Sequence, residues 1–390
     1  MSETVKKSNQ TSPESYSPRK TIILDLANQS EFVSDVAVNP YSGGEPPRTS
    51  NRIHDYRRIQ NWENYFLDSA IYSVAKSLGI EYEDKIQFFA AITGDMFAYL
   101  YCKKKPCDSG ITNYFFVPQV VKKAYAAMGY DCIYLSKAQI KKDFRTAMNA
   151  IKASIDKGIP VLAWGMGNVL MGDGSRYAPL PEGSLIGGYD EGDILYVNLY
   201  PGPERLPAGS VDEDGYSAIT NGLDTTNVIF ILGEKTDKPE LKKIYSDAIN
   251  NIPVFLTLAP ANDYVFGKQA FDLWAETLLD DSNFNDKTDN ELGGICWDLH
   301  CSPYCCVCTG NSNGYIKKVT EQFPEIEIAH KILPLYEQLI KYKNEIWALH
   351  GDFFPPMEKF RTHEFRAQIA AILRQMGDTC DNIVAAFNKI

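Results

Sequence analysis

Two β-type runs that flank a tight turn constrain the fold of this chain more than any other segment. They lie in SLIGGYDEGDILYVNLY at 184–200, where apolar residues on both sides surround the polar positions 190–193. Glu191-Gly192 has the composition of a hairpin turn, so the two runs are predicted to pair antiparallel. The rest of the fold must therefore be built around an antiparallel sheet.

Further helices and strands are predicted on both sides of this hairpin. Apolar residues from Phe66 to Leu78 recur at helical spacing, and Gly79 ends the run. Ser136 is a good N-cap for the helix that follows it. We expect additional helices over 83–102, 117–128 and 137–157, and strands over 20–26, 130–135, 159–165 and 227–233.

The pattern changes near residue 237. Apart from the short apolar segment IPVFLTL, the sequence after this point is typical of helices, including a regular apolar stripe from Phe365 to Met376. We therefore predict a disordered polar tail at 1–20, an α/β domain at 21–236 and a helical domain at 237–390. The expected fold class is α+β, a small antiparallel sheet followed by a mostly helical C-terminal domain.

Charge and hydropathy exclude several functions. The net charge is -11, whereas binding to nucleic acid needs a basic surface. No apolar run reaches the roughly 18 residues of a membrane helix, and the N-terminal segment lacks the apolar core of a secretory signal. Nine cysteines without an export signal indicate free thiols in a reducing cytoplasm. We expect a cytoplasmic protein that contacts neither nucleic acid nor membrane, and its oligomeric state is left open.

Three motifs in the order helix, strand and hairpin resemble a known family. They are NYFLDSAIYSVAKSLG at 64–79, GIPVLAWG at 158–165 and EGSLIGGYDEGDILYVN at 182–198. This order resembles the papain-like fold of the bacteriocin-processing, double-glycine peptidases of bacteria. It also resembles the N-terminal domain of butirosin biosynthesis protein H, an acyltransferase relative. The resemblance covers roughly residues 61–232 and implies a papain-like fold there.

The residues that carry catalysis in that family are replaced in this chain. The family keeps a cysteine at the start of its first core helix, where amide N–H groups favour the thiolate. A histidine begins the second core strand as general base. Here Asn64, Tyr65 and Phe66 stand at the first place and Glu182 stands at the second. The third position of such sites matches Asn198. The Cys-His dyad is therefore absent by sequence.

Glu182 is the candidate residue for any chemistry that survives. A carboxylate in the former active-site cleft is suited to act as a general base or to hold a cationic ligand. Tyr65 and Asp68 would be its neighbours on the facing helix, and we include Asn64 and Asn198 among the candidate ligand-binding residues. Glu182 is equally typical of a surface residue at a strand start, and this alternative stays open. Cys102 and Cys107 are weaker candidates for a replacement nucleophile.

Two functions follow from this pattern. The first is a catalytically degenerate peptidase-like protein that binds a small molecule or peptide in the old cleft, which the resemblance links to bacterial secondary metabolism. The second is an acyltransferase or amidohydrolase of altered mechanism that uses Glu182. Loss of both dyad members favours the first function and argues against catalysis, and neither function calls for a cofactor.

A cysteine cluster offers a third alternative, an iron–sulfur or zinc protein. Cys301, Cys305 and Cys308 have the spacing C-x3-C-x2-C, which resembles the cluster motif of radical S-adenosylmethionine enzymes. That motif belongs early in an α/β barrel, whereas only helix-like sequence follows here. The favoured interpretation is that these thiols lie on one face of a helix and pack against a neighbour. Zinc bound by His300 with thiolates is part of the same alternative.

Overall fold

The structure of this protein is a computed structural model. It describes residues 48–54, 66–104, 106, 117–164, 169–170, 176–177, 184–198, 212–214, 216–219, 223, 226, 228–260, 263–304 and 312–388. The predicted tail at 1–20 and the predicted strand at 20–26 lie outside these residues.

Helices and strands alternate in the first part of the chain, and helices predominate in the second. The strands are β1 Ser50–Arg52, β2 Leu100–Cys102, β3 Tyr130–Ser136, β4 Val161–Trp164, β5 Val169–Leu170, β6 Arg176–Tyr177, β7 Ser184–Asp190, β8 Asp193–Asn198, β9 Ser217–Ile219, β10 Val228–Lys235 and β11 Tyr264–Phe266. The first helices are α1 Phe66–Ser77, α2 Ile86–Thr93, α3 Val117–Met128, α4 Lys137–Lys142 and α5 Phe144–Asp156. The remaining helices are α6 Leu241–Asn250, α7 Ile252–Leu256, α8 Lys268–Leu279, α9 Asp289–Cys296, α10 Ser312–Gln322, α11 Glu327–His350, α12 Met357–Phe360 and α13 His363–Phe387.

One antiparallel sheet organises the first part. Its strand order is β3-β10-β4-β7-β8-β9, and β1 pairs with β7 as an additional strand. The predicted hairpin is confirmed, because β7 and β8 pair directly and Asp190 lies opposite Asp193. Glu191 takes the positive φ of 50° that the tight turn requires. The α+β class and the helical C-terminal region are therefore confirmed.

The sheet separates two apolar layers by the alternation of its side chains. On β10, Val228 and Phe230 face one layer, whereas Ile229 and Ile231 face the other. The layer behind Ile229 is closed by α5 and contains residues such as Ile151. The opposite layer is closed by α1, α2 and α3, and its core continues without interruption into the C-terminal helices. Buried residues on both sides of position 236 therefore share one core, while the predicted domain boundary there stays a prediction.

Helix α1 is the most enclosed element of this shared core. Its residues from Leu67 to Ala75 are all buried, and it packs against α2, α3 and β4. Polar Asp68, Ser69 and Ser73 are buried together with the apolar residues. Polar side chains on such a buried helix need hydrogen-bond partners, and the ionisable ones tend to stay uncharged.

Two predicted element boundaries were wrong. The helix expected over 83–102 ends at Thr93, because Gly94 adopts a φ of +92° that terminates it. The chain then forms β2, in which Leu100 pairs with Phe266 of β11. The helix expected over 137–157 is divided at Asp143, whose side chain accepts a hydrogen bond from the Thr146 amide and caps α5.

Arg366 fixes the ends of several C-terminal helices. It lies on α13 and is only 1% exposed. Its guanidinium donates to the carbonyls of Leu278 and Phe360, pairs with Asp281, and lies over the Phe284 ring at 3.9 Å. A buried guanidinium with this many partners positions the chain ends around it through directional hydrogen bonds.

Substitution of Gly94 tests the contact between the two parts of the chain. A Cβ atom at Gly94 would lie 2.1 Å from the Phe255 ring, and the positive φ adds backbone strain. We expect Gly94→Ala to lower the free energy of unfolding by about 2–4 kcal/mol, measured by urea unfolding. Gly79→Ala is the matched control, since its φ is +68° but nothing lies within 4 Å. Equal losses in the two variants would show that the Phe255 contact is unimportant.

Candidate functional site

The ends of three neighbouring strands, β4, β7 and β8, lie side by side where the sequence predicts the site. Ser184 at the start of β7 pairs with Ala163 of β4 on one side and with Asn198 of β8 on the other. Glu182 is two residues before Ser184 in the sequence. Glu182, Asn64 and Tyr65 lie outside the described residues. For Asn198, the structure gives the strand position and not the side chain.

Asp68 is the predicted site residue whose surroundings are defined. It lies in the first turn of α1 and is fully buried. The Thr93 hydroxyl, at the end of α2, donates a hydrogen bond to Asp68 Oδ1 at 2.8 Å. Asp68 Oδ2 and the neighbouring Ser69 hydroxyl have no hydrogen-bond partner among the described residues. The start of α1 therefore carries a buried polar cluster.

A second carboxyl group, that of Asp95, belongs to this cluster. Asp95 is 5% exposed and follows Thr93 by two residues. Burial raises the pKa of Asp68 well above its usual range, and the nearby charge of Asp95 raises it further. The Thr93 hydrogen bond opposes both effects but does not cancel them. Two carboxyls in one buried site cannot both ionise cheaply, so the pair retains a proton that it can donate or share.

The sequence predicted Asp68 as a candidate site residue but gave no indication of Thr93 or Asp95. Thr93 is the last residue of α2 and Asp95 follows it, in the segment that was predicted to continue as helix. Their approach to Asp68 depends on how α1 and α2 pack, and no local pattern records that packing. The turn-type sequence TGD at 93–95 was the available signal.

A second buried polar pair lies in the helical part. His300 Nε2 is 2.7 Å from His350 Nε2, and both side chains are almost completely buried. One imidazole must donate at Nε2 and the other must accept there, so the two rings hold opposite tautomers. Their Nδ1 atoms have no hydrogen-bond partner within the described part of the chain. Burial lowers the pKa of both histidines, that of His350 to about 4.

A π-helical turn at Trp297–Cys301 positions His300 and also creates a thiol pair. The Ser302 amide donates to the Trp297 carbonyl, five residues earlier. In an α-helix, residues five apart point about 140° away from one another. The wider turn instead brings the sulfur atoms of Cys296 and Cys301 to 3.6 Å. Such turns are frequent at functional sites.

The cysteine alternative is only partly covered by the structure. Cys301 is fully buried, whereas Cys305 and Cys308 lie outside the described residues, as does Cys107. Cys102 is buried within β2. Within the described ranges, no group of three or more His, Cys, Asp or Glu side chains is arranged to hold a metal ion. Because Cys305 and Cys308 lie outside these ranges, the metal alternative stays a prediction.

One open cavity lies at a different place. It has a volume of about 410 Å³ and lies between α3 and α6, where Lys123, Lys243 and Asn250 line it. Its floor is apolar, with Ala127 and Ala248 among the lining residues. The residues that line this cavity lie mainly on helices and include none of the predicted site residues, so the cavity is not the predicted cleft.

Comparison with known proteins adds no identification. No protein-family model matches the chain, and no curated protein sequence matches it. Within the described ranges, no helix combines the length and the apolar character needed to cross a bilayer.

The raised pKa of Asp68 predicts that part of the free energy of unfolding is lost as the pH rises. Its pKa is raised in the folded chain, so its contribution is fully present below the unfolded value and disappears as pH rises through the folded value. We expect Asp68→Asn to remove this loss, so that its free energy of unfolding falls less over the range in which the pH rises above about 4. Urea unfolding across that range measures it. Asp190→Asn, at the exposed hairpin turn, is the control.

The histidine pair predicts the opposite dependence. An imidazole with a lowered pKa in the folded chain takes up a proton on unfolding, so stability is lost as pH falls from about 6.5 towards 4. The double variant His300→Asn/His350→Asn should be less stable at neutral pH and yet lose less on acidification. His330→Asn, at an exposed histidine, should leave the acid loss intact. An unchanged acid loss in the double variant would contradict the assignment.

Proposed function

We propose that this chain is a papain-like protein that has lost its catalytic dyad and binds a ligand at the former active site. The observation that supports the proposal most directly is the Asp68–Asp95 carboxyl pair. It lies at the start of the buried helix α1, which is where the family keeps its thiolate. Asp68 comes two residues after positions 64–66, where the family's cysteine is expected, so the proposal puts a carboxyl site beside the former nucleophile position.

The arrangement of the strands is compatible with this proposal. The family places its general base at the start of the second core strand and its third site residue at the end of the next strand. Ser184 and Asn198, at the corresponding strand ends, are paired in register. Helix α1 packs on β4, which pairs with β7 on the same sheet. Glu182 is thereby proposed to share the cleft with the start of α1.

The chemistry of the carboxyl groups indicates the class of ligand. A neutral Asp68 donates a hydrogen bond, and an ionised Glu182 attracts a cation. Both properties suit a ligand with an amine and an adjacent carbonyl, such as a small peptide or an aminoacyl compound. The proposed ligand is of this type, and its origin in bacterial secondary metabolism is part of the proposal, as is a cytoplasmic location.

An enzyme of altered mechanism is the second candidate. The raised pKa of Asp68 favours it, because a carboxyl whose pKa lies well above its usual range is better suited to general acid catalysis. Glu182 would then be the base in acyl transfer or amide hydrolysis. The absence of a cysteine or serine at positions 64–66 removes the usual covalent step of the family.

Binding without turnover is the outcome that separates the two candidates. We expect short peptides and aminoacyl amides to raise the melting temperature of the protein and to remain intact by mass spectrometry. Asp68→Asn and Glu182→Gln should each weaken binding by roughly tenfold or more, since each removes a charge-assisted or buried hydrogen bond. Asp190→Asn should bind normally. Ligand cleavage that Glu182→Gln abolishes would instead establish the enzyme.

A further inference from the structure

An exposed group of aromatic side chains lies in the helical part, far in sequence from the proposed cleft. Trp297 is 40% exposed and Phe354 is 45% exposed. The Phe353 ring links them, with ring centroids 6.1 Å from Trp297 and 5.2 Å from Phe354. We call Trp297, Phe353 and Phe354 the aromatic patch. Exposed clusters of this kind mark interaction sites more often than scattered apolar residues do.

The aromatic patch rests on a rigid base. Trp297 begins the π-helical turn that carries buried His300, and Phe353 follows His350 by three residues. The contact between His300 and His350 therefore joins the two segments that carry the patch. A patch held by buried contacts keeps its shape before a partner arrives, which reduces the entropy lost on binding.

Two glycines in α9 extend this surface. Gly293 and Gly294 precede Trp297 by four and three residues, so they lie on the same face of the helix. A Cβ atom at either position would meet nothing within 4 Å, and neither has a positive φ. The fold itself therefore does not need glycine there, although glycine destabilises a helix. An open backbone beside an exposed tryptophan allows a partner to approach closely.

The charges nearest to the patch in sequence are acidic. Glu291 and Asp298 accompany the glycines and Trp297, with no basic residue between 289 and 298, whereas Asp289 at the start of α9 is already paired with Arg361. Asp352 precedes Phe353 and is exposed. A second copy of the chain would meet like charges across a two-fold contact, and an anionic membrane surface would be repelled in the same way. A basic partner is attracted to the acidic rim, and its cationic groups are also attracted to the indole face.

We propose that the aromatic patch, with Gly293 and Gly294, docks a basic amphipathic segment of another protein. Apolar side chains of that segment cover Trp297, Phe353 and Phe354, and its Lys or Arg residues face the acidic rim. The open helix face at the two glycines receives the backbone of the segment. This surface is independent of the carboxyl site at α1.

A pair of synthetic amphipathic peptides tests the proposal. One has a leucine face and a lysine face, and the other has the same leucines with glutamate in place of lysine. We expect the full-length protein to bind the lysine peptide in a fluorescence anisotropy titration, with affinity that falls as salt increases. The glutamate peptide should not bind. Equal binding of both peptides, or of neither, would overturn the proposal.

Variants locate the binding to the patch. Trp297→Ser and Phe354→Ser should each weaken binding of the lysine peptide by roughly tenfold or more. Gly294→Gln should weaken it as well, while keeping or raising the thermal stability, because it fills the open face without strain. Phe144→Ser is the matched control, since Phe144 is also 42% exposed but lies on α5.

Two results would assign the surface differently. Equal weakening by Phe144→Ser would show that the peptide binds exposed aromatics without specificity. Sedimentation that detects a dimer of this chain, abolished by Trp297→Ser, would make the patch a self-association surface. Either result overturns the assignment to a basic partner segment.

Discussion

The apolar core that the C-terminal helices share with α1, α2 and α3 is the constraint on which the other features depend. Phe88 of α2, Tyr245 of α6 and Tyr315 of α10 make successive ring contacts across it. At its margin, Asp84 accepts hydrogen bonds from the Tyr245 hydroxyl and from Lys318. Removal of the C-terminal helices would expose this face of α2 and the layers beneath it, so the sheet part depends on them for burial.

Burial of ionisable groups in this core explains its two polar pairs. An isolated charge in an apolar interior is unfavourable by several kcal/mol, so a buried group responds by staying neutral. For Asp68 the raised pKa favours the protonated, neutral carboxyl. For His300 and His350 the lowered pKa favours the neutral imidazole. The same physical cause therefore moves carboxyl and imidazole pKa values in opposite directions.

Features with a local cause were predictable from the sequence. The β7–β8 hairpin follows from period-two apolar runs and its turn, and Ser136 caps α4 through a reciprocal bond with Gln139. The short β2 strand was not predictable, because its partner is far away in the chain. The shared helix face predicted for Cys301, Cys305 and Cys308 stays a prediction, and their spacing did not indicate the contact of Cys301 with Cys296 that the π-helical turn creates. Asp68 was predicted as a site residue, but its partner Asp95 depends on helix packing.

The pairing of Leu100 with Phe266 affects how the chain folds during its synthesis. On the ribosome, β2 emerges long before β11, and it stays an unpaired, apolar strand until β11 has been synthesised. Helices α1 to α3 can form meanwhile, but the layer that covers them arrives only with the second half of the chain. The fold is therefore completed late in synthesis. Until then the nascent chain exposes apolar surface that chaperones bind.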